Sequence, residues 1–462
     1  MGRARSIIWG IALSEGSSQV AAQSYDVGVI GLGFVGLTLA TVLAEVGYRV
    51  LGVETRAEVV DLTNQGIPHF SEAGLPEALS RVVRNGGLHA VRTLDPDVTC
   101  RTYIITVGTP LGPDGLARLD MIEAATGQVA ANLTDGALVI LRSTVKVGTT
   151  REVVAPILAR TGKRFGIAMC PERTLEGRAL QELRELPQIV GADTPDIADQ
   201  AAAVFRPITG SVIQLSSPEA AEILKLVDNT YRDVQFGFAN EVARICDAYG
   251  VNSTEVINSG KLGYPRTKVA LPGLVGGPCL EKDPHIFEQS AQARGIELEI
   301  TKAARLVNER QPAETVAFMD AELRRRGFAE DAPIALLGLA FKGIPATDDL
   351  RGSMSLQVLA RLQEIRPQAR VVLYDPVIPA ESLRQRFPEL TVADDLTEAA
   401  TGRALVVIGN NHPGLGAASP SALREVMAPS GFVFDYWNHF SNLGPVERGG
   451  SYFAVGNLGG LS

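Results

Sequence analysis

Asp26-Val-Gly-Val-Ile-Gly-Leu-Gly-Phe-Val-Gly-Leu37 is the stretch on which the fold turns. Asp26–Ile30 reads as a strand and Val35–Val46 as the helix behind it, so the glycines fall in the turn between them. Gly31 permits a tight turn, Gly33 lets a pyrophosphate approach the backbone, and Gly36 allows close packing of the helix. Phe34 and Val35 open that helix, whose free amides and dipole favour a phosphate. A lone GxGxxG is weak evidence. Here a second strand, Tyr48–Val53, runs into Glu54, where a carboxylate takes a ribose diol and repels a 2′-phosphate. That points to NAD rather than NADP, with Arg56 beside it as the contrary feature.

The same alternation continues outward. Further strands are expected at Thr102–Val107, Ala137–Leu141 and Phe165–Met169. Around Ser216 the pattern changes: Pro218–Tyr249 holds a single glycine, Gly237, and Ile223, Val227, Val234, Phe238, Val242 and Ile245 recur on one helical face. A helix of that length bridges domains or subunits. Strands resume at Ile334–Leu337, Val371–Tyr374, Leu405–Ile408 and Phe432–Phe434, after a linker at Ala329–Pro333. The expected fold class is α/β, with two Rossmann-like domains of parallel sheet joined by a central helical domain containing a long helix. The divisions are a dinucleotide-binding domain over 25–215, a central helical domain over 216–328 and a second α/β domain over 329–462. Residues 1–24 read as a disordered or extraneous extension. Arg3 and Arg5 do precede an apolar run, Ile7–Leu13, but it is short for a secretory signal and Glu15 follows closely.

Bulk properties narrow the function. At 462 residues the chain exceeds one ordinary domain, and 45% hydrophobic with 21% charged residues is normal for a globular protein. A formal net charge of −9 argues against an electrostatic grip on nucleic acid or on an anionic membrane. Cys100, Cys170, Cys246 and Cys279 are scattered without a CxxC pair, which suits a reducing cytoplasm and excludes a disulfide framework. The five histidines show no metal-ligand spacing, and no metal is expected. No segment is apolar for long enough to cross a bilayer.

Two features carry chemistry. Lys225-x3-Asn229 places an ammonium and an amide on one helical face, able to converge on one oxygen, and Glu222 and Arg232 continue that polar stripe. Alone it reads as a solvated face. In Gly276-Gly-Pro-Cys-Leu-Glu-Lys-Asp-Pro284 the glycines ahead of Cys279 leave room for a substrate, and Asp283 follows four residues on. A thiol can attack an aldehyde to give a thiohemiacetal, which loses hydride to become a thioester that water releases as an acid. Lys225 nearby would lower the thiol's pKa. Alone, Cys279 reads equally as a buried structural thiol.

Taken together, these blocks resemble the UDP-sugar 6-dehydrogenase family (UDP-glucose and GDP-mannose type), from about Tyr25 to Asn438. The blocks fall in order: GLGFVGL, TVGTP at Thr106–Pro110, RSTVKVGTT at Arg142–Thr150 and CPERTLEG at Cys170–Gly177. KLVDNTYR at Lys225–Arg232, PGLVGGPCLEKDP at Pro272–Pro284, GLAFKGIPATDDLRGS at Gly338–Ser353 and YDP at Tyr374–Pro376 complete the series. The resemblance implies a four-electron oxidation of a sugar C6 hydroxyl with NAD. In it Cys279 is the nucleophile, Lys225 and Asn229 stabilise the oxyanion, and Asp283, Glu172 and Thr144 manage protons and thioester hydrolysis. It implies cofactor contacts from Thr109, Ser143, Glu176, Lys282 and Arg351. Contacts to the UDP-sugar would come from Glu172, Arg173, Lys225, Asn229, Gly276 and Lys342, with Arg266 reaching across from a neighbouring subunit of a homodimer or higher homo-oligomer. Pro171-Glu-Arg173 is similar to the UDP-N-acetylhexosamine branch, including UDP-N-acetylmannosamine dehydrogenases. Many of that branch have proline where this chain has Glu176, and Gly352 stands where glutamate is usual. UDP-glucose remains the alternative substrate. A two-electron hydroxyacid or phosphogluconate-type dehydrogenase needs neither Cys279 nor a third domain. A silent NAD-binding protein is expected to have lost part of the Cys279, Lys225, Asn229 and Asp283 set, all of which is present.

Overall fold

The computed structural model describes residues 23–441 and 450–459. The extension expected over 1–24 lies outside the described residues, except that Gln23 and Ser24 open the first strand.

Strands β1 (Gln23–Ile30), β2 (Val50–Val53), β3 (Leu88–Val91), β4 (Val98–Ile105), β5 (Ala137–Leu141), β6 (Phe165–Met169), β7 (Gln188–Gly191) and β8 (Val212–Leu215) form one sheet. Its order is β3-β2-β1-β4-β5-β6-β7-β8. Strand β4 starts before the expected Thr102 because its polar beginning pairs with the start of β1, Gln23 against Val98. Val29, Ile104, Val139 and Ile140 are fully buried, as apolar runs covered on both faces require.

One pair departs from parallel: Met169 of β6 meets Gly191 of β7 in antiparallel register. A strand antiparallel to β6 begins at the carboxyl end of β6. The intervening segment, with its short helix Ala179–Glu185, therefore stays at that edge and does not cross back. This keeps Glu172 and Glu176 at the edge where the glycine turn also lies.

Strands β9 (Pro333–Leu337), β10 (Arg370–Tyr374), β11 (Thr391–Val392), β12 (Leu405–Ile408), β13 (Phe432–Asp435) and β14 (Tyr452–Ala454) form a second sheet, ordered β11-β10-β9-β12-β13-β14. Its pairs are parallel. Both sheets thus reverse strand order beside their first strand, which opens a ligand crevice at the carboxyl ends. The resemblance extends to detail. Gly31 and Gly338 each follow the first strand at positive φ, +95° and +81°. The next N–H donates in each case to a carboxylate past the second strand, Leu32 to Glu54 at 3.2 Å and Leu339 to Asp375 at 2.7 Å.

Between the sheets runs the bridging helix Pro218–Tyr249, 32 residues long. Ser217 caps its start by accepting the Ala220 N–H, and Gly250 ends it in the left-handed conformation at φ +67°. It packs against a second long helix, Glu299–Arg325. The sidedness inverts the simplest expectation. Glu222, Lys225, Asn229, Asp233 and Asn240 are buried, while Ile223, Val227, Tyr231, Phe238 and Ile245 are exposed. Of the stripe that reads as solvated in the sequence, Glu222, Lys225 and Asn229 are turned inward and Arg232 alone is exposed.

Candidate active site

Cys279 lies on a short helical turn, Gly277–Leu280, just ahead of the helix Asp283–Gln292. It is exposed, whereas Cys100, Cys170 and Cys246 are buried. Gly277 has φ +87°, and a Cβ built there would fall 2.4 Å from the Phe341 ring. At Gly276 a Cβ would fall 2.4 Å from the Gly352 carbonyl oxygen, and the Gly277 N–H donates to that oxygen at 2.7 Å. The glycines therefore admit the loop of the second sheet, and the room expected for substrate on that side is filled by Phe341, Gly352 and Met354.

Lys225 and Asn229, one turn apart on the bridging helix, each have only 7% of their surface exposed. Asn229 donates to Asp283 Oδ2 at 2.5 Å, and Lys282 Nζ donates to Asp283 Oδ1 at 2.8 Å. Lys282, expected at the cofactor, is thus tied to Asp283. Around the thiol, burial within the surrounding protein pushes its pKa up although the side chain is accessible. Asp283 pushes the same way, and Lys225 and Lys282 pull it down without prevailing. The lowering expected from Lys225 is present as a pull but does not win.

Glu172 leaves β6 with its carboxylate fully engaged. Arg142 reaches Oε2 with Nε at 3.1 Å and Nη2 at 2.6 Å, and the Arg173 and Thr174 N–H groups donate to Oε1 at 2.7 and 2.8 Å. Burial raises this carboxyl, but Arg142 and the backbone donors outweigh it and hold the pKa low. Arg142 is itself buried, donating to the Cys170 carbonyl at 3.1 Å. It stands in the RSTVKVGTT block, yet nothing in the sequence signals its partner. The same block is anchored to the bridging helix by Glu222, which accepts the Gly148 N–H at 2.6 Å and the Thr150 N–H at 2.9 Å. Thr109 donates its hydroxyl to the Thr144 carbonyl, and Ser143 Oγ donates to the Val107 carbonyl at 2.6 Å. These bonds stitch together the turns that follow β4 and β5.

The glycine turn suits a dinucleotide. A Cβ on Gly33 would meet nothing within 4 Å, whereas one on Gly36 would fall 1.8 Å from the Gly31 carbonyl oxygen. Gly33 is thus open to a phosphate and Gly36 is closed by packing. Glu54 accepts from the Arg56 N–H at 3.1 Å and from Arg56 Nε at 3.2 Å. Burial raises the Glu54 carboxyl, and these hydrogen bonds more than offset that, so it stays ionised and ready for a diol.

The second sheet's loop closes on this edge through Glu176. Lys342 Nζ donates to the Glu176 carbonyl at 2.6 Å, Thr347 donates its hydroxyl to the carboxylate, and Arg351 stands 3.8 Å from it. Burial and then Asp349 push the Glu176 carboxyl up to about 7. Burial lowers the Lys342 ammonium. Arg351 pairs with Asp349 at 2.6 Å and lies 4.4 Å over the ring of Phe34, whose other neighbour is Phe70 at 4.1 Å. Glu72, which no motif marks, fastens the same strip by accepting the Gly177 and Ala179 N–H groups at 2.7 and 2.8 Å.

Two candidates stand apart. Arg173 pairs with Asp228 of the bridging helix at 3.0 Å. Arg266 is exposed, 4.7 Å over the Tyr264 ring, and no hydrogen bond or ion pair among the described residues ties it to the cluster. Among the described residues, no group of three or more His, Cys, Asp or Glu side chains is placed to hold a metal ion. Nor is any helix among them long and apolar enough to cross a membrane.

Comparison with known proteins agrees with this layout. Residues 25–209 match the NAD binding domain of the UDP-glucose/GDP-mannose dehydrogenase family, 219–310 its central domain and 335–442 its UDP binding domain. The chain is 33% identical over 393 residues to the UDP-N-acetyl-D-mannosamine dehydrogenase of Pyrococcus horikoshii, covering 84% of this chain and 89% of that one. A solved structure of the UDP-D-ManNAc dehydrogenase from that organism superposes with a TM-score of 0.84 at 31% identity, over 94% of this chain and 99% of that one. The UDP-glucose dehydrogenase structure from Pyrobaculum islandicum superposes with a TM-score of 0.83 at 29% identity, over 96% and 100%.

Proposed function

The chain belongs to the UDP-glucose/GDP-mannose dehydrogenase family and is an NAD-dependent nucleotide-sugar dehydrogenase; from that premise we propose that it oxidises C6 of a UDP-N-acetylhexosamine, UDP-N-acetylmannosamine foremost, at Cys279. The observation that carries this is one accessible thiol beside the buried Lys225, Asn229 and Asp283. The sugar choice is supported by the Pro171-Glu-Arg173 form and by the named relative from Pyrococcus horikoshii.

NAD supplies a hydride acceptor for each of the two oxidations. Gly31, Gly33, Gly36, Phe34 and Val35 would hold its pyrophosphate and Glu54 its ribose, with Thr109, Ser143 and Arg351 along the wall. The first oxidation takes hydride from C6 and a proton from its hydroxyl, leaving an aldehyde. The Cys279 sulfur then bonds to that carbon, and the Lys225 ammonium and Asn229 amide stabilise the oxygen that gains charge. Asp283 would take the sulfur's proton as the bond forms and pass it to that oxygen, leaving a neutral thiohemiacetal. Loss of a second hydride and a proton from the thiohemiacetal gives a thioester. Water cleaves it to the carboxylate and restores the thiol. Glu172, held ionised by Arg142 and already hydrogen-bonded at both oxygens, would act on that water through its charge, with Thr144 alongside. Lys342 and Arg173 would border the nucleotide sugar, while Gly276 is packed against Gly352 and Met354.

NADH formed per sugar consumed tests this, across UDP-N-acetylmannosamine, UDP-N-acetylglucosamine, UDP-glucose and GDP-mannose. Two NADH per UDP-N-acetylmannosamine is expected. One NADH per sugar would reduce the chemistry to an alcohol oxidation and Cys279 to a structural thiol. Glu176, where proline is common in the N-acetylhexosamine branch, supports UDP-glucose as the second reading; selective turnover of that sugar would establish it.

The family has a UDP binding domain, and the sugar's nucleotide would sit on the second sheet. A homodimer formed on the bridging helix is supported by the exposed Ile223, Val227, Tyr231, Phe238 and Ile245, an apolar stripe that a monomer would leave in water. Arg266 would then reach the neighbouring site. The cytoplasm is the proposed location.

A further inference from the structure

Behind Cys279 lies a buried polar seam that the chemistry above does not use. Arg305, on the helix Glu299–Arg325, is 3% exposed. Its Nη1 donates to Asp233 Oδ1 at 2.8 Å and to the Leu280 carbonyl at 2.7 Å, and its Nη2 donates to the Val275 carbonyl at 3.1 Å. Those two carbonyls bracket the turn that bears Cys279. Asn308, one turn farther along, donates to the Asp233 carbonyl and to Oδ1, both at 3.0 Å. Asn240 donates to Asn308 Oδ1 at 2.9 Å and exchanges hydrogen bonds with Gly273, at 3.1 Å to its carbonyl and 3.0 Å from its N–H. A Cβ on Gly273 would lie 2.9 Å from the ring of Trp437, and the Trp437 indole N–H donates to the Gly409 carbonyl at 3.1 Å. Gly409 directly follows β12, at the strand-order reversal of the second sheet.

A buried guanidinium is an expensive way to join two helices, because apolar side chains of similar volume hold them at least as well. Among the described residues, Asp233 Oδ2 is moreover buried without a hydrogen-bond partner. What an apolar pair lacks is a rigid fork that grips two backbone carbonyls in a segment without strand or regular helix partners.

We propose that Arg305, oriented by Asp233 and Asn308, is a positioning residue that sets the place of Cys279, and that Trp437 couples this clamp to the nucleotide-side loop. The inference rests on Cys279 being the reacting thiol. The clamp fixes where sulfur stands relative to a sugar held on the second sheet.

The test compares the full-length chain with Arg305→Lys and Trp437→Phe. Lysine keeps the charge beside Asp233 but cannot grip both carbonyls as well. Phenylalanine keeps the ring and loses the bond to Gly409. For Arg305→Lys the expected result is a fall in kcat of ~10²-fold with KM for sugar and NAD little changed. The iodoacetamide alkylation rate of Cys279 should also change, with its pH profile displaced. Unchanged kcat and alkylation, or a loss of kcat matched by equal loss of NAD and UDP binding, overturns the proposal. If Arg305→Lys fails to fold, Trp437→Phe decides alone. UDP is expected to change the alkylation rate of the native chain and to leave that of Trp437→Phe unaltered. Equal response to UDP in both, or none in the native chain, overturns the coupling. Alkylation is read without turnover, so a failed clamp is distinct from a failed assignment of Cys279: full activity of Cys279→Ser would remove the assignment while the alkylation comparison still reported the clamp.

Discussion

At Cys279 burial and Asp283 hold the proton on sulfur while Lys225 and Lys282 draw it away, so on the proposed route the sulfur loses its proton only as it reacts. Cys279→Ser should therefore abolish net oxidation to the acid, because an alcohol there neither adds readily to the aldehyde nor leaves as a thiolate does. NAD affinity, measured by calorimetry, should persist; normal turnover in the variant would sink the covalent route. Arg142 is the second residue on which much depends. Arg142→Met strips Glu172 of its buried partner, and removing one member of such a pair costs ~3–5 kcal/mol. Urea unfolding should show that loss, and an unchanged midpoint would mean Glu172 relaxes into water. Cys279 stands out in the sequence because a thiol closely preceded by two glycines, with a carboxylate four residues on, is a dense local pattern. Arg142 does not, since its partner lies 30 residues away and pairing at that range is set by the sheet. Glu72 left no trace for the same reason.

Among the elements, the bridging helix best separates what periodicity reveals from what it hides. Its limits, Pro218 and Tyr249, follow from a capping serine with proline behind it and a glycine beyond. Its sidedness does not follow. Period alone gives two stripes, and the rule that apolar faces turn inward assumes one chain in water, whereas here Glu222, Lys225, Asn229 and Asp233 are the buried ones. Phe238, 55% exposed, is the place to ask what covers the other stripe. Phe238→Glu should shift the chain from dimer to monomer in sedimentation without lowering NAD affinity. An unaltered oligomer would move the interface elsewhere. The strands that escaped the sequence reading, β3, β7, β8, β11 and β14, have four residues or fewer, whereas the equally short β12 is readable from its unbroken apolar run Leu-Val-Val-Ile.

For the whole molecule, the contact between the two halves is centred on Glu176 and titrates. Its carboxyl stands at about 7 in the fold against an ordinary 4.5, owing first to burial and then to Asp349. Between those values the folded chain holds more proton than the unfolded one, so stability falls as pH rises through that window and stays reduced above it. Glu176→Gln removes the charge. Its melting temperature should gain on the native chain from pH 5 to pH 8, and a constant difference would show that the carboxyl is unperturbed. That the chain has two dinucleotide-type sheets was readable from its two runs of strand and helix, but not how alike they are. The second glycine, Gly338, lacks the neighbouring glycines that make the first conspicuous. The likeness has one broken correspondence. Glu54 is met largely by Arg56, whose side chain is 57% exposed and free to swing aside for a guest. Asp375 is taken by four backbone N–H groups, those of Leu339, Ala340, Val377 and Ile378, at 2.7 to 3.1 Å. Backbone cannot step away. The matching carboxylate of the second sheet is thus committed to its own turn, and a ribose diol is expected to find an acceptor at Glu54 and none at Asp375.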